Sequence, residues 1–331
     1  MARVFSGIRP TGPMHLGNYV GAVKNWVKIQ TEYECIYSVV DWHAITTEYE
    51  SLKSYNLRER SEQKAMELLA AGIDPDRSIL FIQSDVPEHV ELALLFGMFV
   101  PLPWLERVPT YKEQIQNLSG KDLLTYGFLG YPVLQAADIL VYKAHHVPVG
   151  EDQLPHIELC REIARRFNFL YGEVFPEPEA LQTETTRLPG LDNRKMSKSY
   201  NNAIDMIEAP EMTAKRISEM ITDPARIRRS DPGNPDVCSV FTYHKTFSPA
   251  PRVAEIDTLC RKAGIGCVEC KRELAASVNT ELAEFRERYA EIASQPELLR
   301  NILSDGASRA RKIASCVLAE AKDAIGITGK S

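Results

Sequence analysis

No window of the sequence reaches the roughly 18 apolar residues that a membrane-spanning helix needs. The opening MARVFSGIRPTG also lacks a basic segment followed by a long apolar stretch, so a soluble, cytoplasmic protein with no membrane partner is the expectation. There is no internal repeat and no low-complexity segment. Positive charge does not dominate either: the formal net charge is −6, and a nucleic acid would have to be held on a local basic face. Cysteine is sparse, at seven in 331 residues. In a reducing compartment these are not disulfides, and a close cluster among them points to a metal or to chemistry. No convincing nucleophile triad is present.

What is there belongs to an ordinary globular protein, 44% hydrophobic and 25% charged, long enough for one large core and a smaller appended domain. The first half alternates short β-branched or aromatic runs (Arg3 to Ile8, Cys35 to Val40, Ile79 to Gln83, Val147 to Gly150) with periodic segments at Gly21 to Thr31, Leu57 to Ala71 and Pro155 to Phe167. This rhythm predicts an α/β fold, a Rossmann-type parallel sheet covered by crossover helices. From about Glu208 the strand signals stop. A smaller, mainly helical part follows, interrupted by the Pro/Asp/Gly-rich stretch Asp223 to Asp236, and Pro296 to Ile325 reads as one long amphipathic helix able to pack back on the first part. The expected division is 1–207, 208–295 and 296–331.

After the first strand comes a Gly/Pro-punctuated turn, Gly7-Ile8-Arg9-Pro10-Thr11-Gly12-Pro13-Met14-His15-Leu16-Gly17-Asn18. Glycines let a backbone approach a ligand closely, and a helix N-terminus behind them favours negative charge. His15 and Asn18, three apart, can face one way and donate to phosphate oxygens. A plain strand-turn-helix with a capping role reads equally well. Farther on, Lys195-Met196-Ser197-Lys198-Ser199 follows a Pro/Gly/Asp/Asn loop. Two lysines three apart suit charge stabilisation in nucleotidyl transfer, although a solvated basic loop has the same composition.

HLGN and KMSKS together resemble the two signature motifs of class I aminoacyl-tRNA synthetases. Further stretches, FSGIRPTG, GNYVGA, VVDWHAIT, FIQSDVPEH, ERVPTYKEQ, YPVLQAADILVY and VPVGEDQ, are similar to bacterial tryptophanyl-tRNA synthetases. The resemblance implies that L-tryptophan, ATP with Mg²⁺, and tRNA(Trp) are substrates and partners. It implies a catalytic set of His15, Asn18, Lys195 and Lys198, and an ATP site of Arg9, Pro10, Thr11, Gly17, Asn18, Gly150, Glu151, Asp152, Leu188, Lys195, Met196, Ser197, Lys198 and Ser199. The tryptophan pocket implied is Phe5, Gly7, Val40, His43, Tyr131, Gln135, Val147, Val149 and Gln153, with Asp138 as its polar anchor.

Tryptophan's only polar side-chain group is an N–H donor, and an ionised carboxylate only accepts, so Asp138 is a sensible partner. A tyrosine hydroxyl would suit it too, and Gln135 three residues earlier makes a Q-x-x-D pair that resembles the tyrosyl enzymes. The alternatives are therefore a tyrosyl-tRNA synthetase or a non-catalytic RNA-binding paralogue, with a helix-surface pairing of Asp138 to Lys143 as the plain structural reading. His145 and His146 are adjacent and read as a turn rather than a metal pair.

Cys238, Cys260, Cys267 and Cys270, spaced C-x21-C-x6-C-x2-C, form a recognisable metal arrangement, while Cys35, Cys160 and Cys316 read as core residues. Zinc and iron–sulfur both fit four thiolates. The resemblance favours a [4Fe-4S] cluster with a structural or tRNA-reading role. Arg226, Arg228, Arg229, Arg309, Arg311 and Lys312 are candidate tRNA phosphate contacts. A homodimer is implied by the family, and the apolar run Leu92 to Trp104 suits an interface or a core helix.

Overall fold

The computed structural model describes residues 1–109, 124–182, 188–197 and 200–328. Its centre is a five-stranded sheet of β1 (Arg3–Ile8), β2 (Glu34–Val39), β3 (Ile79–Ile82), β4 (His146–Val149) and β5 (Glu179–Gln182), in the order β3-β2-β1-β4-β5. All four pairings are parallel. Successive side chains point to opposite faces and each face has its own core. Val4, Cys35, Tyr37, Leu80 and Ile82 join one buried cluster; Phe5, Ile36, Ile79 and Phe81 join the other.

The first cluster is covered by the helices Lys24–Ile29, Leu57–Ala70 and Cys267–Ala293, through Trp26, Leu68, Leu274 and Val278. The second lies under Glu88–Gly97, Tyr126–Leu140 and Leu154–Tyr171, through Phe96, Val133 and Ile163. The Cys267–Ala293 helix thus shares a core with the sheet. The terminal helix, Pro296–Ile325, contributes Leu299 and Leu303 to the first cluster and Ala310, Ala314 and Val317 to the second. It does so by lying along the edge strand β3, whose unpaired side it covers. Gly306 permits the approach, since a Cβ there would stand 1.9 Å from the Leu80 carbonyl oxygen.

β5 is absent from the sequence reading. Its residues, Glu-Ala-Leu-Gln, include no β-branched or aromatic side chain, and its place is set by pairing with β4 rather than by propensity.

Candidate active site

In the order β3-β2-β1-β4-β5 the chain's direction of travel across the sheet reverses between β1 and β4. Loops leave such a switch point on opposite sides and a crevice opens at the strands' carboxyl ends. Pairing between β1 and β4 is confined to Val4 and His146. Pro148 has no N–H to extend it. Beyond that point Phe5, Ser6 and Gly7 on one side and Val147, Pro148, Val149 and Gly150 on the other line a cavity of about 360 Å³. Gly7 keeps this wall open, because a Cβ would meet Val40 Cγ1 at 2.8 Å.

The Tyr126–Leu140 helix, capped by the Thr125 side chain on the Phe128 amide, lies against the cavity. Tyr131, Gln135 and Asp138 recur at helical spacing and face it together. His43, Thr46 and Thr47 reach it from the Asp41–Glu48 helix. All ten pocket residues expected from the resemblance (Phe5, Gly7, Val40, His43, Tyr131, Gln135, Asp138, Val147, Val149 and Gln153) line this one cavity. Sequence reasoning missed Trp26, Phe128, Pro148 and His156, among others. His156 stands three residues beyond Gln153 and shares its helical face, a signal that was available.

Asp138 is buried and is not paired with Lys143, which reaches Glu320 instead. Its Oδ1 accepts from Gln83 Nε2 and bonds His89 Nδ1, both at 2.7 Å. Its Oδ2 bonds His43 Nε2, also at 2.7 Å. Burial pushes the carboxyl up, but His43 and His89 more than offset this and hold it below the usual carboxylate range. Tyr131 bonds His156 Nε2 at 2.7 Å through its hydroxyl, and burial holds that imidazole below its ordinary value.

HLGN begins the helical run whose Ala22 and Trp26 line this cavity, and KMSKS meets HLGN there. His15 caps the short Leu16–Asn18 turn: its Nδ1 accepts from the Asn18 amide at 3.1 Å, and Asn18 Oδ1 accepts from the His15 amide at 3.3 Å. The capping role and the phosphate-donor role are therefore compatible. A neutral ring accepting at Nδ1 carries its proton on Nε2, and an Asn accepting at Oδ1 keeps its NH₂ as a donor. The following residues, Tyr19–Val23, widen into a π turn, a local irregularity common at functional sites. Met14, just before His15, is held by Glu67 Oε1 at 2.9 Å, and its carbonyl accepts from the Met206 amide at 2.9 Å.

The lysine loop is folded by Asn202, which receives the Ser197 amide at 2.8 Å and donates to Asp192 and to the Lys195 carbonyl. Met196 Sδ lies 3.3 Å from the Gly17 amide, so HLGN and KMSKS are in contact. Leu188 is buried in the first core cluster. Arg9 and Gly150 reach the cavity wall, while Pro10 and Thr11 follow β1. Glu151 to Gln153 form a single turn entering the Leu154–Tyr171 helix. Lys198, Ser199 and most of the ERVPTYKEQ stretch lie outside the described residues.

Cys238, Cys260, Cys267 and Cys270 come from the starts and ends of three helices and converge. Burial, reinforced by Cys238, Cys260 and Cys267, pushes the Cys270 thiol up to about 12. Burial, Cys238 and Cys267 also raise Cys260. They converge without closing: among the described residues no group of three or more His, Cys, Asp or Glu side chains is arranged to hold a metal ion. The Arg226 guanidinium reaches Cys260 and Cys267 at 3.9 and 3.8 Å, and the carbonyls of Arg229 and Ile265.

Three of the candidate RNA contacts have partners within the chain. Arg226 is turned into the cysteine region. Arg311 is bonded to Glu88, and Arg309 to the Pro75 carbonyl and Asp305. They tie the terminal helix to the sheet domain. Lys312 is exposed.

Residues 1–283 match the family described as tRNA synthetases class I (W and Y). A tryptophan–tRNA ligase from Thermotoga maritima is 50% identical over 327 residues, 98% of this chain and 99% of the relative. One from Ralstonia nicotianae is 43% identical, covering 98% of each. Among solved structures, a tryptophanyl-tRNA synthetase from Campylobacter jejuni complexed with ADP and tryptophan superposes with a TM-score of 0.88 at 37% identity, over 98% of this chain and 99% of that one. A tyrosyl-tRNA synthetase from Archaeoglobus fulgidus, at 22% identity and a TM-score of 0.66, over 87% of this chain and 90% of that one, shares the fold. On these grounds the chain belongs to the class I tRNA synthetases of the W and Y family.

Proposed function

We infer that this chain is a tryptophan–tRNA ligase, which activates L-tryptophan with ATP and passes the acyl group to the 3′ end of tRNA(Trp). The observation that carries the reading is an aromatic-lined cavity holding a buried carboxylate, walled in part by Ala22 and Trp26 of the helical run that HLGN begins, with KMSKS in contact with HLGN. A tryptophan carboxylate oxygen attacks the α-phosphorus of ATP and pyrophosphate leaves; a terminal ribose hydroxyl then attacks the acyl carbon and AMP leaves. No covalent enzyme intermediate is needed, so positioning and fixed charge do the work. His15 Nε2–H and the Asn18 NH₂ are donors for phosphate oxygens, and Lys195 and Lys198 follow charge onto the pyrophosphate. Asp138 accepts the indole N–H. Glu151, Asp152 and Gln153 are acceptors and donors for the ribose and the substrate ammonium.

Mg²⁺, when bound, neutralises phosphate charge, and ATP itself supplies the oxygens for it. Cys238, Cys260, Cys267 and Cys270 would hold a [4Fe-4S] cluster or zinc. Their convergence at the ends of three helices and the Arg226 guanidinium beside Cys260 and Cys267 support this. Such a group would cross-link the 208–295 region, which we assign to the tRNA anticodon; Arg228, Arg229 and Lys312 are available for phosphate contacts. The parts 1–207, 208–295 and 296–331 are divisions of labour, since their cores are continuous. A homodimer is supported by the exposed apolar residues Leu94, Met98, Leu102, Leu124 and Tyr126. A cytoplasmic site fits the finding that no helix among the described residues is long and apolar enough to cross a membrane.

The test is aminoacylation. Anaerobically purified protein charges tRNA(Trp) with tryptophan, and iron and acid-labile sulfide, or zinc, are assayed on the same sample. Failure to charge tRNA(Trp) contradicts the reading. The second reading, tyrosine as substrate, is favoured by one observation: Gln135 and Asp138 both face the cavity.

A further inference from the structure

An ionised carboxylate has about four acceptor directions. At Asp138 three of them are occupied by nitrogen partners: Gln83 and His89 on Oδ1, His43 on Oδ2. Because the carboxylate can only accept, His89 must present an N–H at Nδ1. In the neutral ring Nε2 is then the acceptor for the Tyr142 hydroxyl, 2.6 Å away. Tyr142 is fully buried and stays protonated through burial and the nearby Asp138 charge. Gln83, His89 and Tyr142 are not among the cavity-lining residues. His89 and Gln83 are nevertheless completely buried, the usual sign of a polar group kept for a partner.

We propose that His89 is a positioning residue for substrate selection: with Gln83 it fixes Asp138 as an acceptor with about one remaining direction, on Oδ2, open to a donor at the end of an aromatic ligand. A group that can only accept there discriminates by leaving a buried charge short of a partner when the ligand has no N–H or O–H. Tyr142 acts one step back, by holding the His89 tautomer. Without the His89 proton, Oδ1 loses a charge-assisted bond, and the carboxylate is free to turn or to take up a proton and donate. Either change blurs the distinction between a ligand that donates and one that does not.

The inference rests on the reading of Asp138 as the indole partner, and the experiment separates the two. Amino acid-dependent ATP–pyrophosphate exchange is measured on the full-length protein with tryptophan and with β-(3-benzothienyl)-L-alanine, which carries sulfur in place of the indole N–H. Wild type prefers tryptophan in kcat/KM. His89→Leu lowers that preference by about tenfold, through a higher tryptophan KM, with the ATP KM and the analogue's parameters retained. His89→Asn, whose amide nitrogen stands near the former Nδ1, restores the preference. Equal losses for both substrates in His89→Leu, uncorrected in His89→Asn, or a preference unchanged in His89→Leu, would overturn the proposal. Wild type treating the two substrates alike would overturn the indole reading of Asp138 beneath it.

Discussion

The backbone amide of Gly17 lies 3.3 Å from Met196 Sδ, although 179 residues separate them in the chain. A Cβ on Gly17 would stand 3.2 Å from that sulfur and 3.0 Å from His15 Nδ1. Gly17→Ala must therefore push the two motifs apart or distort the His15 cap. Overpacking of this kind costs about 1–3 kcal/mol. The expected result is an ATP KM raised about tenfold with tryptophan binding retained, measured by exchange kinetics beside equilibrium dialysis. Equal losses for both ligands would show that the contact is not specific to the nucleotide side.

Asp138→Ala would remove the shared acceptor of Gln83, His89 and His43. We expect the tryptophan requirement to rise far more than that for ATP, by about 100-fold given a buried charged hydrogen bond worth about 1.5–3 kcal/mol. Asp138→Asn, which keeps the volume, should show the same asymmetry with less loss of thermal stability. Steady-state kinetics with each substrate varied in turn decides it. A matched rise in both KM values would contradict the pocket assignment.

Much of this site was legible before the fold was known. The motifs HLGN and KMSKS stand in the sequence as such, and the residues from Phe5 to Gln153 that line the cavity were named by family resemblance, not by spacing. The supporting layer was not. Glu67 holds Met14 across 53 residues and His89 holds Asp138 across 49, and no local pattern marks such pairs. Arg309 and Arg311 look like any exposed basic pair in sequence, and only the position of the terminal helix shows them tied to Pro75 and Glu88. β5 was missed for the related reason that its pairing, not its composition, makes it a strand.

The helix Leu57–Ala70 carries a buried ion pair, Lys64 with Glu67, whose other oxygen anchors the Met14 amide. Burial lowers the Lys64 ammonium's affinity for its proton, and Glu67 opposes this. Glu67→Gln keeps an acceptor for Met14 but leaves the ammonium only the Asp205 charge, and we expect a loss of up to about 3–5 kcal/mol. Adding Lys64→Met should recover part of it. Urea denaturation of the single and double variants reads this directly; a double variant no more stable than Glu67→Gln would rule out the buried ammonium as the cause.

Stability should also fall in mild acid. Burial holds His156 and His244 below the ordinary 6.5. Between their folded values and 6.5 the unfolded chain binds more protons, so stability rises with pH across that window and is lost as pH falls through it. Asp138, held low, adds its own loss only below the ordinary 3.8. A Tm lower at about pH 5.5 than at about pH 7.5, with a smaller difference in a His156→Asn/His244→Asn double variant, is the expected outcome. An unchanged difference in the double variant would assign the acid sensitivity elsewhere.

The central claim is a cavity that selects tryptophan beside an assembled nucleotide site. Its most direct test is amino acid-dependent ATP–pyrophosphate exchange on the purified protein, with tryptophan and tyrosine compared side by side. Exchange with tryptophan and none with tyrosine is the predicted result. Exchange with tyrosine would mean that Gln135 and Asp138 form a phenol site, and exchange with neither would contradict the catalytic reading itself.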